Sequence, residues 1–288
     1  MISLLHAYHP SSILISFGPI DIHWYGLLIV LGIIAAIAIT LKLASYYNIK
    51  KETIIDLAFW LIISGVIGAR IYFIFLELPY YLKYPLDMFK PWQGGLAIHG
   101  AIIGGALALW LYTKKYKLNF WLSAALIAPG LALAQAIGRW GNYFNQELFG
   151  KPTNLPWGIP IDLLNRPIEF LNNIYFQPTF LYESLGNFLV FAVLIVLHFY
   201  LIKKQKINDF NLKLVVFSYL ILYSLLRFFL EYFRIDSTPY LLDLRLAQFI
   251  SLLIIISSFI YLSYSTLKIK TQSAKIIKVK LDKLPPVN

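Results

Sequence analysis

Seven long apolar runs, at about 24–44, 54–76, 95–113, 121–137, 179–201, 213–232 and 246–266, leave this chain few ways to fold. Crossing a bilayer as a helix takes roughly 20 predominantly apolar residues, and these runs approach or exceed that length. With 59 % hydrophobic and only 14 % charged residues, a soluble globular chain is excluded. The reading is an all-α polytopic membrane protein of about seven transmembrane helices. Residues 1–267 form a single integral-membrane domain with an outer loop region at about 138–178, and 268–288 form a basic tail. The fourth run is short and carries Pro129, Gly130 and Gly138, which predicts a kink or break whose freed backbone groups neighbouring helices must satisfy.

Lysine placement gives the orientation, because short loops rich in Lys and Arg stay cytoplasmic. Lys42, Lys50 and Lys51 follow the first run; Lys114, Lys115 and Lys117 follow the third; Lys203, Lys204, Lys206 and Lys213 lie between the fifth and sixth. The tail adds Lys268, Lys270, Lys275, Lys278, Lys280 and Lys283, so sixteen of the 25 basic residues fall on one side. That side is read as the cytoplasm, with the N-terminus outside and the C-terminus inside. The tail after about 267 reads as disordered or interfacial, and its lysines suit anionic lipid headgroups. No cleavable signal peptide is visible, so the first span serves as the insertion signal. There is no nucleic-acid motif and no internal repeat. The chain has no cysteine, so any thiol in its chemistry belongs to a substrate.

The six arginines are distributed differently. Arg70, Arg139, Arg166, Arg227, Arg234 and Arg245 all fall in the outer halves of runs or in outer loops, where the lysine rule does not put them. Charges within spans are costly and face the bundle interior or a water-filled cavity. At 1.5 Å per helical residue, Arg70, His99, Glu183 and Arg227 lie within roughly 10 Å of the outer ends of their runs. Tyr223, Arg227, Glu231 and Arg234 are spaced 4, 4 and 3 apart, a single helical stripe. Arg70 and Glu77 likewise share a face. Either these residues line a site, or they are salt-bridged pairs holding the bundle together. Polarity confined to the outer third favours a cavity that accepts something from the outer leaflet over a full-depth transport path.

The densest polar stretch is GRWGNYFNQELFG at 138–150, with Arg139, Asn142, Asn145, Glu147 and Gly150 where the fourth run leaves the membrane. Arginine and the asparagines supply donors suited to a phosphate oxyanion. His99, in GGLAIHGAIIGG, lies between glycine pairs that let a helix or a headgroup come close. It reads either as a hydrogen-bonded structural residue or as a base, since histidine suits proton transfer near neutrality. Trp24, Tyr25 and Trp92 fit the interfacial aromatic belt, and Tyr25 also suits the cavity wall. No spacing of His or carboxylates fits a metal site.

These pieces together resemble the bacterial prolipoprotein diacylglyceryl transferases. The resemblance rests on HWYGL at 23–27, GARIYF at 68–73, GGLAIHG at 94–100, the 138–150 signature, QPTFLYES at 177–184, YSLLRFFLEYFR at 223–234 and AQFIS at 247–251, in the family's order. It implies a seven-helix enzyme of the bacterial plasma membrane with its site near the outer leaflet. Such an enzyme moves the diacylglyceryl group of phosphatidylglycerol onto the lipobox cysteine of prolipoprotein signal peptides and releases glycerol phosphate. No metal or organic cofactor is implied. By the resemblance Arg139 is the phosphatidylglycerol-binding arginine and His99 the histidine of the family's HGG motif, and Arg227 and Tyr223 join them as catalytic candidates. Asn142, Asn145, Glu147, Gly150, Tyr25, Glu231 and Arg234 match other family positions and are the substrate-binding candidates. Ala101, Lys151, Gln177 and Ala247 depart from the family pattern, and the departure at Gln177 argues against a catalytic part there. The alternative from another class is a transporter or lipid-binding protein that uses the arginine layer for an anionic solute.

Overall fold

The computed structural model describes residues 2–18 and 20–281. Lys283, counted above with the tail, lies outside the described residues. The chain is mostly helical, with α1 at Ile2–Ala7, α2 at Trp24–Tyr46, α3 at Lys51–Leu76, α4 at Leu78–Lys83, α5 at Ile98–Lys115, α6 at Phe120–Phe144, α7 at Thr179–Lys203, α8 at Asp209–Leu230 and α9 at Leu246–Leu281. Six of these, α2, α3, α6, α7, α8 and the Leu246–Lys268 part of α9, are long and apolar enough to cross a membrane. The third expected span is α5. It has 18 residues, carries His99 and ends in Lys114 and Lys115, and it falls short of the other six in apolarity. Large apolar side chains such as Phe59, Trp60, Ile67 and Phe75 of α3 stand exposed along the helices. So broad an apolar surface suits lipid rather than water.

Two expectations about boundaries are corrected. The fourth helix does not stop at 137 but runs to Phe144, continuous through Pro129, so Arg139 and Asn142 are helical residues. The sixth stops at Leu230 with Glu231 as its C-cap, so Arg234 lies beyond the helical stripe. Its backbone pairs instead with Gly150 in an antiparallel bridge. The tail's first part continues α9 as far as Leu281.

The packing divides into two compact units, one of residues 34–130 and one of 1–33 with 131–288, the division falling within α2 and α6. In the first, α3 and α5 pack through glycines. A Cβ on Gly100 would stand 2.1 Å from the Gly68 carbonyl oxygen, and one on Gly104 would stand 2.3 Å from that of Ser64, so only glycine permits this backbone approach. Of the two uses the sequence left open for these glycines, helix contact is the one observed. Arg70, buried on α3, donates from Nε to the Met88 carbonyl at 3.0 Å, from Nη1 to Gly94 at 2.7 Å and Gly95 at 3.1 Å, and from Nη2 to Asp87. It holds the 85–95 loop by carbonyls and makes no pair with Glu77. The structural alternative therefore describes Arg70, with a different partner.

In the second unit the 145–178 region is a small folded head. Strands β3 (Ile159–Pro160) and β4 (Tyr175–Phe176) pair antiparallel, and Leu5, Tyr143, Phe149, Ile159, Ile161, Phe176 and Phe180 form its core. Leu5 comes from α1, so the N-terminal segment is built into the head. The His6 ring stacks on Tyr175 at 4.0 Å and its Nδ1 lies 2.8 Å from the Gly158 carbonyl oxygen. Gln146 donates to the Pro10 carbonyl at 2.8 Å and to Asp162 Oδ2 at 2.6 Å, and its own oxygen accepts from the Asp162 backbone N–H. Before α2 the chain makes a hairpin of β1 (Ile13–Phe17) and β2 (Ile20–His23). After α8 it makes a second, β5 (Tyr240–Leu241) with β6 (Leu244–Arg245).

Candidate active site

The site candidates of the second unit gather around one carboxylate that sequence reasoning placed in the layer but gave no role. Glu183, in the first turns of α7, is 4 % exposed. Its Oε1 accepts from Arg227 Nη1 and Arg234 Nη1, each at 3.1 Å, and its Oε2 pairs with Arg139 Nε. One apolar helix thus supplies an anion to arginines from α6, from α8 and from the chain just past α8. An unpaired carboxylate would not survive such burial, and three guanidiniums explain why this one does. The signal in the sequence is that Glu183 is the single acidic residue of a long apolar run.

A second carboxylate stands behind the first. Glu231, 1 % exposed, lies 2.8 Å from Arg227 Nη2 through Oε2 and 3.1 Å from Arg245 Nε through Oε1. Neither oxygen accepts a well-directed hydrogen bond, so Glu231 is held by charge more than by hydrogen-bond geometry. Arg245 spends its remaining donors on carbonyls, with Nη1 at 2.7 Å from Arg234 O and 3.1 Å from Glu231 O. Arg234 Nε donates to Asp236 Oδ1 at 2.8 Å. Burial alone would raise the Asp236 pKa, but the hydrogen bond from Arg234 and the charges of Arg234 and Arg245 outweigh it and hold this carboxyl below its ordinary value.

The arginines therefore sort into two kinds. Arg234 and Arg245 have side chains only 4 % and 10 % exposed, Arg234 held by the Glu183 and Asp236 carboxylates and Arg245 by Glu231, the Thr238 hydroxyl and backbone carbonyls. Arg139 and Arg227 are 22 % and 19 % exposed. Among the described residues Arg139 Nη2 and Arg227 Nε have no acceptor. Those two can still take up an anion.

The signature surrounds Arg139. Asn142 Oδ1 accepts from Arg139 Nη1 at 3.3 Å, and Asn142 Nδ2 donates to Glu147 Oε1 at 2.8 Å, the same oxygen that Asn145 Nδ2 approaches at 3.3 Å. Glu147 is exposed. Tyr25 lays its ring on Gly141, where a Cβ would come within 2.4 Å of the ring carbon Cδ2. Gly150 is a crossing point: it donates to Gln177 O at 2.9 Å, and a Cβ there would be 2.9 Å from Phe233 O and from Thr179 Cγ2. Tyr223 is partly buried on α8, its ring stacked 6.0 Å from that of Tyr219. His99 belongs to the other unit, where it is exposed on α5 beside Tyr72, the ring centroids 5.8 Å apart. Among the described residues no group of His, Asp and Glu is arranged to hold a metal.

Comparison with known proteins now bears on this arrangement. A family model described as prolipoprotein diacylglyceryl transferase matches residues 12–264. The chain belongs to that family. It is similar to the phosphatidylglycerol--prolipoprotein diacylglyceryl transferase of Nostoc sp., 44 % identical over 244 residues that cover 84 % of this chain and 85 % of the relative. It is also similar to those of Synechocystis sp., 40 % over 248 residues and 86 % of each chain, and of Finegoldia magna, 42 % over 241 residues, 84 % of this chain and 90 % of the relative. The family match runs from before α2 into α9.

Proposed function

We propose that this protein transfers the diacylglyceryl group of phosphatidylglycerol to the lipobox cysteine thiol of prolipoproteins, the first step of bacterial lipoprotein maturation. It works as a multi-pass enzyme of the bacterial plasma membrane with its site near the outer leaflet, N-terminus outside and C-terminus cytoplasmic. The observation that carries the reading is the pair Arg139 and Arg227, both anchored on Glu183 and both still offering N–H donors toward an anion.

The reaction joins sulfur to the glycerol carbon that bears the phosphate and breaks that carbon's bond to oxygen. Glycerol phosphate leaves with the electron pair, and the thiol proton passes to a base. Charge grows on the leaving phosphate, and preorganised donors lower the barrier most when they meet that charge. Arg139 and Arg227 hold the phosphate. Asn142 has one amide hydrogen left for the same anion after its bond to Glu147. Glu231 and Arg234 act from behind by fixing Arg227 and Glu183. Glu147, Asn145, Tyr25 and Tyr223 orient the incoming lipid and peptide, and Gly150 keeps the head's crossing point closed against the site. His99 is the candidate that the sequence offers for the base that takes the thiol proton. Phosphatidylglycerol, prolipoprotein signal peptides and the surrounding lipids are its partners, and the scheme uses no metal or organic cofactor.

The test is incubation of the purified protein in nanodiscs with phosphatidylglycerol and a lipobox peptide. A diacylglyceryl mass gain on the peptide cysteine is expected, and its absence with folded protein would sink the proposal.

A further inference from the structure

Directly beneath the arginine layer, the same three helices carry an uncharged polar layer to which the reaction above gives no task beyond a general one for Tyr223. Arg139 meets Glu183 across α6 and α7, and Trp140 Nε1 donates to Ser184 Oγ at 3.2 Å while Ser184 Oγ donates to Ala136 O at 2.8 Å. These contacts fix an antiparallel register. Four residues deeper on each helix, Gln135 comes opposite Asn187. Glu183 meets Arg227 across α7 and α8, and Gly186 lies against Leu226, so the same step sets Asn187 opposite Tyr223. Gln135 lies beside Tyr219, whose ring stacks on Tyr223.

Two acceptors in this layer are empty-handed. Asn187 is 1 % exposed, and its Oδ1 accepts no hydrogen bond among the described residues; neither does the buried Oε1 of Gln135. Buried polar atoms are ordinarily paired, and each exception calls for a reason. The layer sits one helical turn, about 5.4 Å, below the guanidiniums, close to the length of a three-carbon headgroup. An anchored phosphate would therefore let its headgroup reach this depth.

We propose that Asn187 and Gln135 accept hydrogen bonds from the two free hydroxyls of the headgroup glycerol, and so select phosphatidylglycerol among anionic lipids. This rests on the transfer reaction proposed above. A site built to bond a substrate hydroxyl rejects the analogue that lacks it far more strongly than an apolar pocket rejects a missing methylene, because its own polar groups are left unpaired. The arginines read the phosphate, common to many lipids; the deeper layer reads the hydroxyls, which are not.

The experiment compares phosphatidylglycerol with phosphatidylpropanol, whose headgroup keeps three carbons and the phosphodiester but has neither hydroxyl, as donors to a lipobox peptide. It uses the wild-type protein, Asn187→Leu and Gln135→Met in nanodiscs, each checked for thermal unfolding. The wild type is expected to prefer phosphatidylglycerol by a hundredfold or more in kcat/KM, on the order of two lost hydrogen bonds, and each variant to narrow that preference about tenfold, chiefly by losing rate with phosphatidylglycerol. Equal use of the two lipids by the wild type overturns the inference whatever the variants do. So does an undiminished preference in both variants, which would make the layer structural. If one variant fails to fold, the other, on a different helix, decides with the wild type. No transfer from phosphatidylglycerol by the wild type would instead refute the reaction itself.

Discussion

At the residue scale, Arg139 and Glu183 are bonded to one another and yet their loss should look different. Arg139→Lys keeps the charge near Glu183 but gives up the planar fork. Losing one charge-assisted bond to the phosphate, roughly 1.5–3 kcal/mol, should cost about one to two decades in turnover, with thermal unfolding in detergent little changed. Glu183→Gln removes the anion that Arg139, Arg227 and Arg234 share. Breaking a buried pair on one side costs on the order of 3–5 kcal/mol, so this variant should lose stability and activity together. If Arg139→Lys instead loses stability while the surviving protein keeps normal specific activity, Arg139 belongs to the scaffold. The arginines were legible in the sequence because they broke the lysine pattern. Their sorting was not, since Glu183 meets partners 44 and 51 residues away, and pairing over such separations is a property of tertiary packing.

At the element scale, neighbouring glycines of α5 give a sharp contrast. A Cβ on Gly104 would strike the Ser64 carbonyl, whereas one on Gly105 meets nothing within 4 Å. Gly104→Ala should therefore lower the unfolding temperature by the equivalent of at least 1–3 kcal/mol, as overpacking does, and Gly105→Ala should be neutral or slightly stabilising. Equal effects would refute the close contact of α3 with α5. The head offers a pH test. Hydrogen bonds from Gln146 first and His9 second hold the Asp162 pKa below its usual 3.8. A depressed carboxylate contributes its stability above the unfolded value and loses it as pH falls through the folded one. Hydrogen exchange near Pro10 should therefore stay slow at mildly acid pH and quicken only below about 3.8, while Asp162→Asn should remove that dependence. The helices were legible because apolar length alone specifies them. The head was not: its strands are two residues long, too short for any periodicity, and its core borrows Leu5 from the start of the chain.

At the scale of the whole molecule, the lysine asymmetry predicts that a reporter fused after Lys204 reads cytoplasmic and one placed near Asn165 reads external; the reverse pattern would dismantle both topology and site placement. Because the chain has no cysteine, transfer should go directly to the substrate thiol, and a lipobox Cys→Ser peptide should be a very poor acceptor, an alcohol being far less ionised than a thiol near neutral pH. Comparable turnover of both peptides would refute direct thiol attack. The docking of the first helix into the head also bears on how the protein is made. His6 and its partner Gly158 are 152 residues apart. At a synthesis rate of about 5–20 residues per second, the first segment waits roughly 8–30 s for the head that receives it. During that interval Leu5 has no core to enter, so this segment is translated first and completed late, and a nascent chain stalled before the head should have its leading residues open to protease on the far side of the membrane.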